Sequence, residues 1–148
     1  MTTALAVAGA LGFTILSQKY QEYKLQQLSY RMQLQEQEAS LKKLKTEKQE
    51  TREQKEQAYN DAKAAVKKQK DNIRDLKAKL ALAKTDEERI RIQKAIGEAE
   101  KGLVEQEKEY NVARKEYAEA RRDELMVDAQ ITENMSAQRS TMGLMGGL

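Results

Sequence analysis

From the middle of this chain onward, apolar and small side chains recur at alternating spacings of four and three. Ala62, Val66, Gln69, Ile73, Leu76, Leu80 and Ala83 form one such series. A second runs Ile92, Ile96, Ala99, Leu103, Gln106, Tyr110, Ala113, Tyr117, Ala120, Glu124, Val127 and Ile131. A repeat of 3.5 residues keeps one narrow seam on the same side of an α-helix, which is the pattern of coiled-coil packing. Each series therefore predicts a long helix with a single contact face. Between them stands Lys84-Thr-Asp-Glu-Glu88. Thr85 with Glu88 three residues later fits a capping box, and Asp86 and Glu87 suit the positive start of a helix. A tight turn is expected here, with a new helix after it.

Folding back at that turn lays seam on seam. Reflection pairs Leu80 with Ile92, Leu76 with Ile96, Ile73 with Ala99, Gln69 with Leu103, Val66 with Gln106 and Ala62 with Tyr110. Charge agrees with this register. Lys63 to Lys84 holds eight basic and two acidic residues, and the facing stretch from Glu98 to Tyr110 holds five acidic and two basic. Exposed pairs contribute only tenths of a kcal/mol each, so charge selects the register more than it stabilises the hairpin. Farther from the turn the same reflection sets Arg52 opposite Ala120 and Lys48 opposite Glu124, inside a very polar stretch. A hairpin seamed with Ala and Gln buries about 1 kcal/mol or less at many positions. Side-by-side packing of copies is the expected remedy. The alternative to a hairpin is one continuous helix, since no Pro or Gly forces the turn.

Composition fits this fold class: all-α, a long antiparallel helical hairpin (coiled coil) with an apolar N-terminal helix extension. Of 148 residues, 34% are charged and 5% aromatic, with no Trp and no Pro. That profile belongs to long helices and coiled coils rather than to a compact globule. No Cys or His is present. Thiol nucleophiles, Cys/His zinc sites and imidazole bases are thereby excluded, and the expectation is a non-enzymatic protein without cofactor or metal. Tyr110 and Tyr117 read as seam packing, while Tyr20, Tyr23 and Tyr30 with Lys19 border the apolar segment as either an interfacial aromatic belt or a wider helix contact. Acidic residues and the basic doublets Lys42-Lys43, Lys67-Lys68 and Arg121-Arg122 read as solvated faces, so sequence-specific nucleic-acid binding is not expected.

Charge also divides the chain. All 27 basic and 24 acidic residues lie between Lys19 and Arg139. The expected parts are an uncharged apolar helix (1–18), a long charged helix (19–84), the second helix of the hairpin (85–139) and an uncharged Gly/Met tail (140–148) that is a poor helix former. Eighteen residues of helix would span about 27 Å, just short of a bilayer's hydrocarbon core. Leu5, Val7, Ala8, Leu11, Gly12, Phe13, Ile15 and Leu16 are candidate contacts with lipid or with other copies, Ala8 and Gly12 being spaced for close helix approach. An antiparallel hairpin returns Met142, Leu144, Met145 and Leu148 to the pole that carries Leu16, Tyr20, Tyr23 and Leu28. The first helix is then longer by about thirty residues. Val66, Ile73, Leu76, Leu80, Ile92, Ile96, Leu103, Tyr110 and Tyr117 are the main seam residues, and Thr85 and Glu88 the turn cap.

Ala4-Leu-Ala-Val-Ala-Gly-Ala-Leu-Gly12 running into Ser17-Gln-Lys-Tyr-Gln-Glu-Tyr-Lys24, with the tail Ala137-Gln-Arg-Ser-Thr-Met-Gly-Leu-Met-Gly-Gly147, resembles the small internal virion (DNA-ejection) proteins of short-tailed bacteriophages. The resemblance covers the two ends well and the middle only generically. It implies a protein packaged in the virion, released on infection and assembled, with itself and other virion proteins, into an envelope-crossing conduit in the host. Two other classes share the design. One is a secreted or surface filament subunit, like type III secretion rods and flagellin, working with its secretion apparatus. The other is a membrane-anchored spacer, in which Lys19, Lys24 and Arg31 would hold the hairpin on the cytoplasmic side.

Overall fold

The computed structural model describes the backbone of residues 2–146 and the side chains of residues 17–143. It contains two α-helices, α1 (Thr2–Leu82) and α2 (Asp86–Gly146), packed as an antiparallel hairpin. The turn is the expected one. Ala83 N–H donates to Leu80 O at 3.2 Å and closes α1. Thr85 caps α2: its Oγ1 accepts from Glu88 N–H at 3.2 Å, and its carbonyl accepts from Arg89 N–H at 3.1 Å. Glu88 reaches back with its carboxylate to Lys84 N–H at 3.4 Å, one residue short of the usual capping-box partner.

The cross-helix contacts fall into two units, Thr46–Met126 and Met1–Lys45 with Val127–Leu148. In the first, the turn unit, Ile73, Ile96, Ala99 and Ala120 are buried. Val66, Leu76, Leu80, Ile92, Leu103, Tyr110 and Tyr117 are half-buried, so every expected seam residue faces the partner helix to some degree. Gln69 explains its place in an apolar seam by donating to Ala99 O at 2.9 Å. Gly102 sits beneath that amide: a Cβ there would come within 3.3 Å of Gln69 Nε2. At Gly97 an added Cβ would meet nothing within 4 Å. Gly97→Ala is therefore expected to raise the unfolding free energy by about 0.5–1 kcal/mol, through helix propensity alone. Gly102→Ala should gain less, because the Gln69 amide must move. Urea titrations of the two variants measure the difference.

Charge complementarity is realised away from where its density is greatest in sequence. Near the turn, Lys77 and Glu100 pair at 3.8 Å. The other cross-helix pairs of this unit lie farther out: Lys55–Glu116 at 2.9 Å, Lys48–Asp123 at 3.9 Å and Arg52–Glu124. Glu124 thus takes Arg52 rather than Lys48. The long guanidinium reaches one turn along the partner helix, and Glu56 holds its other side at 2.8 Å. Hydrogen bonding to Glu124 is the main cause that raises the Arg52 pKa.

In the second, terminal unit the seam continues at seven-residue intervals through Leu34 and Leu41 on α1 and Val127, Asn134 and Thr141 on α2, all buried. The expectation of a poorly helical tail is corrected here. α2 continues to Gly146. Thr141 is only 3% exposed and bonds Ala137 O at 2.9 Å within the helix, so docking on α1 outweighs the low propensity of Gly143. As a result α1, with 81 residues, exceeds α2, with 61, by 20 rather than thirty.

Candidate assembly surface

The terminal unit buries polar side chains among the apolar residues of its seam and exposes several large apolar ones. Asn134 is 3% exposed and donates through Nδ2 to Leu34 O and to Gln37 Oε1, both at 2.9 Å. Gln138 donates to Asn134 Oδ1 at 2.7 Å and to Glu38 Oε2 at 2.8 Å. Polar groups at seam positions stabilise less than Leu, but they accept only one alignment of the helices. That network fixes where the end of α2 lies on α1.

Gln138 and then Lys42, which pairs with Glu38 at 2.9 Å, hold the Glu38 carboxyl below the ordinary glutamate range. A lowered folded-state value means that this contribution is complete above the unfolded pKa and is lost as pH falls through the lower one. The midpoint of thermal unfolding should therefore fall on acidification across that interval. Glu38→Gln should flatten the fall, which a pH series of melting curves checks.

The outer faces of the same unit carry a dense set of large apolar side chains. Tyr20, Tyr23, Leu25, Leu28, Tyr30 and Met32 are between 40% and 65% exposed. They project on several sides of α1 within thirteen residues. Lys24 lies over the Tyr20 ring, 5.4 Å from its centroid. On α2, Met135 is 41% and Met142 53% exposed. Of the contact residues expected from the sequence, Tyr20 and Met142 are thus in the described part, exposed and in one unit. The side chains of Leu5, Val7, Ala8, Leu11, Gly12, Phe13, Ile15, Leu16, Leu144, Met145 and Leu148 lie outside the described residues.

No protein-family model, curated protein or solved structure matches this chain. Function must be read from its own surface. Among the described residues no helix is long and apolar enough to cross a membrane, and no acidic cluster could hold a metal ion.

Sequence reasoning misses three features of the structure. Asn134, Gln138 and Glu38 escape the expected seam because they are polar, although Asn134 follows Val127 by seven residues. Leu34 and Leu41 escape it because the polar stretch interrupts the heptads of α1. The third is Tyr59, which is half-buried and stacks between Tyr110 and Tyr117 with centroids 5.5 Å apart on each side, at 28° and 14° between planes. The hydrogen bond with Tyr110, 3.3 Å between hydroxyls, raises the Tyr59 pKa above the ordinary phenol value.

Proposed function

We propose that this chain is a non-enzymatic assembly protein whose hairpin presents uncharged chain ends for association with further copies. The observation that carries the reading is the run of six exposed large apolar side chains from Tyr20 to Met32, which follows directly on the uncharged segment 1–18. A monomer rarely leaves so many large apolar side chains in water within thirteen residues, and such clustering, here distributed around α1, favours contact with more than one neighbour. The hairpin serves as a mount: its seam is too thin to be a storage or catalytic core, and the register of its terminal unit is held by hydrogen bonds. Association through the ends accords with a virion protein released to build an envelope-crossing conduit, the class that the terminal sequences resemble.

Electron microscopy and flotation of the purified protein, with and without anionic liposomes, test this. Rings that appear with lipid and make vesicles leak support the conduit. Fibres formed without lipid assign the chain to a filament, and membrane binding as a monomer or dimer assigns it to an anchored spacer. A monodisperse monomer that ignores lipid at micromolar concentration overturns the assembly reading as a whole.

A further inference from the structure

A second, finer pattern lies on the outer face of α2 within the turn unit. One position after the seam residues 96, 103, 110, 117 and 124 come Gly97, Val104, Asn111, Ala118 and Leu125, all without charge. The corresponding positions of α1 include Glu53, Lys67 and Arg74, so an uncharged column is not a general property of this hairpin. Val104 is 50% and Leu125 61% exposed. Gly97 has no neighbour that excludes a side chain, so nothing inside the chain accounts for a residue that costs the helix about 1 kcal/mol relative to Ala.

The column is self-complementary about Asn111. Turned antiparallel on a second copy, Gly97 faces Leu125, Val104 faces Ala118 and Asn111 faces itself. Each contact sets small against large, or amide against amide. A parallel pairing would set Leu125 on Leu125 and Gly97 on Gly97 and lose that fit. Three residues on, and so beside the column on the helix surface, stand Glu100, Glu107, Arg114 and Arg121. The same two-fold axis brings Glu107 to Arg114 and Glu100 to Arg121 of the other copy. Neither Glu107, Arg114 nor Arg121 has an ion-pair partner among the described residues, whereas Glu100 has Lys77 at 3.8 Å. Arg114, Tyr117, Ala118, Arg121 and Leu125 already line a shallow groove beside Tyr59. On the opposite flank Lys101, Lys108, Lys115 and Arg122 of the two copies converge, and Glu105 and Glu119 on the same helix offset part of that charge.

We propose that two copies of this chain dock side by side, antiparallel, through this face of α2, with the two-fold axis at Asn111. This contact is distinct from the association of the chain ends and links hairpins laterally. From Gly97 to Leu125 it runs about 42 Å along the helix.

Charge exchange tests it on the full-length chain. Glu107→Arg alone and Arg114→Glu alone each set like charges together at both symmetry-related contacts and should weaken the lateral dimer. Mixed in equal amounts they restore both pairs, so the mixed dimer should exceed either homodimer by about tenfold in association constant. Because the chain has no Cys, Asn111→Cys provides a unique reporter. The thiol introduced on the axis should form a disulfide dimer on mild oxidation, whereas one introduced by Asn60→Cys, exposed on α1, should not. Circular dichroism verifies folding of every variant. If Asn111→Cys does not cross-link while sedimentation still shows oligomers, the lateral contact is wrong and end association stands. Cross-linking indifferent to both charge reversals overturns it as well. So does a groove that binds a single-stranded oligonucleotide, loses it in Arg114→Glu and leaves the protein undimerised.

Discussion

Ile73→Asp is expected to lower the unfolding free energy by about 3–5 kcal/mol. Ile73 is 7% exposed on a seam where only Ile96, Ala99 and Ala120 are comparably buried. The substitution removes one of the few large apolar contacts and puts a carboxylate in its place, both among the mechanisms that give losses of this size. The neighbouring seam residues are Gln69 and Leu76, and the Gln69 amide is already engaged with Ala99 O. Ile73→Val, by contrast, should cost about 0.5–1.5 kcal/mol. Chemical denaturation followed by circular dichroism of the helical signal measures both. Equal losses would mean that the seam near the turn carries little of the stability.

Asn134 is expected to separate stability from register. Asn134→Ala should cost about 1–3 kcal/mol, because the bonds to Leu34 O and Gln37 are lost at a buried site and Gln138 loses an acceptor. Asn134→Leu should leave stability unchanged or raise it by about 1 kcal/mol, since an apolar seam residue replaces a polar one. Its cost should emerge elsewhere. Without the amide that recognises Leu34 O, the end of α2 can slide on α1 by a heptad, and amide exchange around Leu34 and Leu41 should quicken. A leucine variant with unchanged exchange would show that apolar packing alone sets the alignment.

The turn and the seam that flanks it are legible in the sequence because they obey local rules. Thr85 and Glu88 carry a cap at fixed spacing, and heptads with Ile, Leu and Val announce their own face. Legibility fails where the seam turns polar. Arg52, Asn134 and Gln138 occupy seam positions, but a charged or amide side chain off the apolar heptads reads as solvated surface unless its cross-helix partner is known; Glu124 falls on the expected series, yet its partner Arg52 does not. The partner lies 72 residues away for Arg52 and 100 for Asn134 with Leu34. The tail is misread for a different reason. Its glycines lower helix propensity, and only the docking of Thr141 on α1 shows why the helix persists. The candidate assembly surface is half legible: an absence of charge marks the ends, while the exposure of Leu25, Tyr30 and Met32 depends on how far α2 reaches back along α1.

The proposed assembly depends on α2 returning its end to the exposed apolar run of α1. Paired spin labels at Leu28→Cys and Met142→Cys, diluted with unlabelled protein so that only distances within one subunit are read, measure this directly. A hairpin in the register set by Asn134 and Gln138 gives a single narrow distance of roughly 10–25 Å, allowing for the label arms and helix spacing. A continuous helix would place the labels about 170 Å apart, beyond detection. Absence of the short distance would mean that the chain ends do not meet, and the assembly surface drawn from them would not exist.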